Sequence, residues 1–204
     1  MTDSQIAEAK RHLSQKDPVM ADLISRYGEV DRRRYDPPFL SLARKIVSQQ
    51  ISVKAAASVW QKLLDFVDGE LIPERLHTIE VENYRSVGIS RQKASYLIDL
   101  SKHFIEDAPF FDDLHQQSDE DVIEALTAVR GIGVWTAQMF LMFDLGRPDI
   151  FAPDDVGLQN AMKGLYVWEN EPKKKDLVRK AEDWAPHRTL ACWYLWQSLH
   201  NSPE

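Results

Sequence analysis

Apolar residues along this chain recur at intervals of three and four, the spacing that lines one face of an α-helix. Ile6, Ala9 and Leu13 make the first stripe, and Asp17-Pro18 interrupts it before a second short helix over 19–27. Asp31 to Arg34 reads as a charged turn. Asp36-Pro37-Pro38 fixes an extended entry to the next helix, because a residue before proline is pushed out of the helical region. Residues 39–49 are helical, with Leu42 and Ile46 on one stripe. Ser52 is placed to cap a helix carrying Ala56, Val59, Trp60, Leu63 and Leu64. Short helices come next over 73–79 and 81–87, the second with Thr78 as its cap, and Gly88 is a helix stop. Ser90 caps a longer helix with Ala94, Leu97, Ile98, Ser101 and Phe104 on one face. Ser118-Asp119-Glu120-Asp121 has the form of a capping box and opens a helix carrying Val122, Leu126 and Val129. Further helices run from Val134 to about Leu145, within the stretch from Pro153 to about Tyr166 after its aspartate pair, from Glu171 with proline in its first turn, and from the Trp184-to-Arg188 segment onward. No stretch alternates as a half-buried strand does. The pattern predicts an all-α fold of about ten helices.

Between two of these helices lies Val129-Arg130-Gly131-Ile132-Gly133. Glycine supplies φ > 0 and lets another backbone approach closely, so the pair of glycines reads as a tight hairpin. The second helix then turns its N-terminal N–H groups and positive dipole end toward the hairpin, an arrangement suited to an anion such as phosphate. After Gly146 and Pro148 stop that helix, the chain reaches Pro153-Asp154-Asp155. A carboxylate at a helix start serves either as a cap or as a chemical group, and the residues alone allow either role to either aspartate.

Composition narrows the class. The chain has 204 residues, 44% of them apolar, enough for one sizeable core. No apolar run approaches the ~20 residues of a membrane span, and the polar, amphipathic first residues lack a signal-peptide core. One cysteine, Cys192, excludes an internal disulfide and a cysteine-held zinc or iron–sulfur centre. An intracellular location is expected, a bacterial cytoplasm or a nucleus. The formal net charge is −7, which argues against loose polyanion binding. Basic residues nevertheless cluster locally at Arg44, Lys45, Lys54, Arg91, Lys93 and Arg130, and backbone N–H groups bind phosphate without entering the net charge.

Four motifs occur in one order: Gln49-Gln50-Ile51-Ser52; Gly131-Ile132-Gly133 with Trp135-Thr136-Ala137 soon after; Pro153-Asp154-Asp155; and Trp184-Ala185-Pro186-His187-Arg188 at the start of the last helix. Together they resemble the helix-hairpin-helix DNA glycosylase superfamily, and within it the 3-methyladenine DNA glycosylase II branch in a compact form without the N-terminal β-rich domain. The resemblance covers about residues 37 to 200. The family hairpin usually opens Leu-Pro-Gly; here it is Val129-Arg130-Gly131, and Arg130 adds a cation. The resemblance implies a single two-lobed domain over 1–204, one lobe from 1–38 plus 146–204 and a central helical lobe from 39–145, with a DNA-binding cleft between lobes.

The same resemblance implies roles for individual residues. Asp155 is the catalytic carboxylate, with Asp154 as a cap or supporting group. Arg130, Gly131, Ile132, Gly133 and Thr136 grip DNA. The stretch from Gln49 to Ser52 lies on the DNA-facing side, with Gln50 placed to probe the strand opposite the lesion and Ser52 as a further DNA-binding candidate. The turn Ile89-Ser90-Arg91 stands where the minor-groove wedge is found, the aligned position being Arg91 with Ile89 nearby, and Lys93 is a further DNA-binding candidate. Bifunctional members similar to endonuclease III carry a lysine two residues after the second glycine of the hairpin; here Trp135 stands there, which implies base removal without strand cleavage. Trp135, Trp196 and Phe39, and also Trp193, are candidates for an aromatic pocket that stacks on a flipped, cationic base. No cofactor and no side-chain metal site is implied, although family members often hold an alkali ion at backbone carbonyls in the position of Val129–Gly133. The implied activity is hydrolysis of the N-glycosidic bond of alkylated purines such as 3-methyladenine and 7-methylguanine in damaged double-stranded DNA, by a monomer with no membrane partner. Two alternatives stay open from the sequence: a non-catalytic hairpin module that binds DNA, and a glycosylase for another damaged base.

Overall fold

A computed structural model describes residues 2–30 and 36–200; the charged turn expected at Asp31 to Arg34 lies outside the described residues. Every regular element among them is helical. The chain divides into two compact units, one from Met1–Arg34 with Leu141–Glu204 and one from Tyr35–Phe140.

The unit spanning Tyr35–Phe140 contains α3 (Pro38–Ser48), α4 (Val53–Phe66), α5 (Pro73–His77), α6 (Val81–Ser86), α7 (Arg91–Glu106), α8 (Ala108–Asp112), α9 (Asp119–Ala128) and the first part of α10 (Val134–Phe143). α7 packs against α3, α5, α6 and α8, burying Ala94, Leu97, Leu100 and Ser101. Ser52, Ser90 and Ser118 cap α4, α7 and α9 by accepting from Ala55, Lys93 and Asp121 N–H. Thr78 does not cap α6. Its hydroxyl donates to Arg75 O at the end of α5, and Glu80 takes the cap position without a side-chain bond. α8 has no counterpart in the sequence pattern. At five residues it is too short to show a period, and its buried residue Phe111 stacks on Phe104 at 4.0 Å.

The other unit joins α1 (Asp3–Lys16) and α2 (Pro18–Tyr27) to α11 (Val156–Leu165), α12 (Lys174–Ala181), a 3-10 turn (Glu182–Trp184) and α13 (Arg188–His200). α11 starts at Val156, with Asp155 of the aspartate pair as its cap. α12 begins after Pro172 instead of enclosing it.

Asp17 ties this unit together. Its side chain is wholly buried. Oδ1 accepts from Val19 and Met20 N–H, capping α2. Oδ2 accepts from the Tyr166 hydroxyl at 2.8 Å and the Trp184 indole at 2.9 Å, and pairs with Lys180 Nζ at 3.1 Å. Burial alone would raise the carboxyl's pKa, but the bonds from Trp184, Tyr166 and Lys180 outweigh it and hold the group below the ordinary carboxylate range. The stability it supplies is therefore fully present above its unfolded value near 3.8 and is lost as pH falls through the lower folded value. Asp17→Asn is expected to cost about 3 kcal/mol at neutral pH, a drop of roughly 6–12 °C in Tm. In thermal melts from pH 7 down to pH 3, the gap to wild type should narrow below about pH 4.

Candidate active site and nucleic-acid interface

The hairpin belongs to the Tyr35–Phe140 unit. α9 ends at Val129, which leaves the helix at φ −74°, ψ 127°. Val129 and Ile132 are both buried and anchor the turn, and Ile132 N–H donates to Val129 O at 3.1 Å. The two glycines serve different purposes. Gly131 sits at φ 85°, and a side chain there would overlap the Tyr96 ring. Gly133 has nothing within 4 Å of where a Cβ would be, so its surface is open to the close approach of another molecule. α10 starts immediately afterwards, with Ala137 N–H bonded to Gly133 O. The first turn of any α-helix presents N–H groups that have no partner within the helix. Ala137, Met139, Phe140, Leu141 and Met142 are buried, so the body of α10 is held in protein. Its start is exposed: Val134 is 50% and Trp135 47% accessible. Thr136 is half-buried.

α7 supports the hairpin from beneath. Asp99 accepts the Arg130 N–H at 2.8 Å and pairs with its guanidinium at 3.1 Å. Burial would raise the Asp99 carboxyl's pKa, but the Arg130 N–H, the Arg130 guanidinium and then His103 hold it below the ordinary range. Arg130 itself is mostly exposed. Tyr96 lies against Gly131 and receives a bond from Gln92 at 2.6 Å. Gln49, to which the sequence assigned no role beside Gln50, donates its amide to Gly131 O at 2.9 Å. Gln50 is exposed and left-handed, at φ 55°. Ile51 and Val53 beside it are exposed apolar residues, Val53 at 88%.

Some predicted contacts fall elsewhere. Ile89 is 2% accessible, a core side chain that offers nothing to a DNA groove. Arg91 is exposed and paired with Glu82 at 2.9 Å. Lys93 points inward, donating to Val47 O and Gln49 O at 2.7 Å each, and burial lowers its pKa. Phe39 is buried edge-on against Phe104 at 5.2 Å; it is core, without a surface for a base.

Asp155 lies in the other unit. It caps α11, with Oδ1 accepting from Leu158 N–H at 2.8 Å and from the Trp196 indole N–H at 2.9 Å. Trp196 also meets Phe143, ring centres 5.6 Å apart. Gly157 makes this possible: a Cβ there would lie 3.0 Å from Asp155 Oδ1 and 3.3 Å from the indole. Asp154 is not the cap. It is exposed and paired with Lys174 at 2.6 Å. The structure therefore separates two aspartates that the residue pattern alone left equivalent, and it gives the cap to Asp155, where the resemblance had offered that role to Asp154. Trp193 packs edge-on against Tyr194 at 5.0 Å. Gly157 and Phe143 carried no sequence signal; only the approach of α13 to the start of α11 gives them a role.

Among the described residues no group of His, Cys, Asp and Glu could hold a metal ion. At the hairpin, Val129 O and Gly131 O each accept one hydrogen bond, from Ile132 and Gln49, and each keeps a second lone pair that an alkali ion could use. No chemical step is assigned to an ion. The geometry predicts opposite outcomes for the two glycines. Gly131→Ala should destabilise by about 2 kcal/mol, lowering Tm by roughly 4–8 °C, whereas Gly133→Ala should melt as wild type does.

Known proteins resemble this chain over most of its length. YfjP of Bacillus subtilis is 37% identical over 62% of the chain, a stretch that makes up 44% of that protein. DNA-3-methyladenine glycosidase from Bacillus halodurans matches with a TM-score of 0.86 at 38% identity, covering 95% of this chain and 89% of that one. Mag1, the Schizosaccharomyces pombe 3-methyladenine DNA glycosylase solved in complex with abasic DNA, matches with a TM-score of 0.80 at 30% identity, covering 96% and 98%. Residues 43–187, which include the hairpin and Asp155, match the family described as HhH-GPD superfamily base excision DNA repair protein. A buried-anchor hairpin opening an apolar helix, and a helix-capping aspartate held by an indole, are thus set in a chain that belongs to the HhH-GPD superfamily of base excision DNA repair proteins.

Proposed function

We propose that this protein is a monofunctional DNA-3-methyladenine glycosylase of base excision repair, acting on damaged double-stranded DNA inside the cell. The observation that carries the reading is the Asp155 carboxylate, fixed by two N–H donors at the start of α11. Breaking an N-glycosidic bond leaves positive charge on the sugar as the purine departs with the bonding electrons. A carboxylate near that charge stabilises it and can accept a proton from the attacking water. A unit pair at ~4 Å is worth about 4 kcal/mol at an effective dielectric near 20, roughly a thousandfold in rate. A purine alkylated at N3 or N7 is cationic and leaves as a neutral base, so no general acid is needed.

In this reading the hairpin holds a DNA phosphate through the backbone at the start of α10, and Arg130 adds its charge. Trp135, exposed beside the hairpin, stacks on the flipped cationic base. Trp196 is a positioning residue for Asp155 as well as an aromatic surface. No lysine occurs between Gly133 and Asp155, so no amine from this segment can form the Schiff base that leads to strand cleavage.

Methylated duplex DNA tests the reading. Wild type should release 3-methyladenine or 7-methylguanine and leave alkali-labile sites without nicks. Asp155→Asn should release none yet retain affinity for abasic-analogue DNA; turnover near wild type would refute the mechanism. Trp196→Phe keeps the ring and removes the N–H. Single-turnover rates should fall about tenfold, the loss of one hydrogen bond to a charged group, while affinity for the abasic analogue should hold. Unchanged rates would assign the indole to packing alone.

A further inference from the structure

α7 engages the hairpin region through three side chains spaced three apart. Lys93, Tyr96 and Asp99 meet, in turn, the end of α3, Gly131 and Arg130. The contact made by Lys93 differs in kind from the other two. Val47 and Gln49 lie at the end of α3, where the last carbonyls of a helix lack intrahelical donors. The helix's negative dipole end also favours a cation there. Lys93 supplies the donors, and its ammonium reaches both oxygens at 2.7 Å. Gln49 then passes its own amide on to Gly131 O at 2.9 Å. The residue after it, Gln50, is left-handed at φ 55°, a conformation that a non-glycine residue holds only when its surroundings impose it. Lys93, the end of α3, the Gln50 turn and the hairpin thus form one connected series of bonds.

We infer that Lys93 is a positioning residue that locks the turn over 49–52 to the hairpin, so that both are presented to DNA as one preformed surface, and that it is not a phosphate ligand. The inference rests on the DNA-binding reading above. It reverses what a lysine in a local basic cluster suggests, because two of its three N–H donors are taken by protein carbonyls. A lock of this kind raises affinity by sparing the turn an ordering step on binding. Removing it should weaken every duplex alike.

Salt dependence separates the two roles. Each phosphate contact contributes about 0.9 to the slope of log affinity against log salt, whereas a residue acting through protein contacts contributes nothing. Binding to an abasic-analogue duplex would be measured by fluorescence anisotropy across a salt series, with the full chain and with Lys93→Met, Gln49→Ala and the double variant. Lys93→Met is expected to raise Kd about tenfold with the slope unchanged. A slope reduced by about 0.9 would overturn the inference. The double variant should lose much less than the product of the single losses; losses that multiply would also overturn it. If Lys93→Met does not fold, Gln49→Ala decides alone, since it leaves every charge in place. A tenfold loss at unchanged slope supports the lock, and wild-type affinity refutes it. Failure of the wild type to bind any duplex would refute the repair reading itself, an outcome distinct from all of these.

Discussion

A buried carboxylate is tolerated in a protein only when hydrogen bonds and charges replace the water it loses. Asp17 meets that demand with donors from both ends of the chain: its own α2, Tyr166 at the end of α11, Lys180 in α12 and Trp184 in the 3-10 turn. The N-terminal helices and the C-terminal segment must therefore come together for either to be satisfied. Tyr166 is the residue that ends α11, and Asp155 is the residue that begins it. One buried charge thus anchors the far end of the helix whose near end carries the candidate catalytic group.

At that near end the constraint is steric. The Asp155 carboxylate and the Trp196 indole meet over Gly157, where a methyl group would crowd both. The cap therefore does two things: it satisfies the Leu158 N–H in the first turn of α11 and fixes the direction of the carboxylate. Preorganisation of this sort is what electrostatic catalysis needs, because a charge already aimed does not have to reorient during reaction.

The Tyr35–Phe140 unit solves a different problem. A chain with net charge −7 cannot rely on bulk attraction to a polyanion. Here α7 holds the hairpin by a carboxylate, an aromatic ring and, through the end of α3, an ammonium. It is a support that shapes backbone N–H groups and leaves Gly133 open. Lys93 illustrates the consequence: its ammonium donates to the protein's own carbonyls at Val47 and Gln49.

The helices and the hairpin were legible in the sequence because they arise from local properties: apolar spacing, serine caps, and glycines between two periodic stretches. Ser52, Ser90 and Ser118 cap as their positions indicate, and the hairpin starts α10 where the glycines place it. Local pattern was too weak for α8, too short to show a period, and misleading for Thr78, whose hydroxyl found the carbonyl of a preceding helix instead. The site divided along the same line. Sequence and resemblance together singled out Pro153-Asp154-Asp155 and put the chemistry on Asp155, but that Asp155 is also the cap of α11 and the aspartate that the α13 indole reaches was decided by the fold. The burial of Ile89 and Phe39, the inward turn of Lys93, the bond from Gln49 to Gly131 and the close approach of the indole over Gly157 are likewise contacts between residues far apart in the chain. Spacing along a chain specifies which face of an element a residue occupies; only packing decides what that face meets.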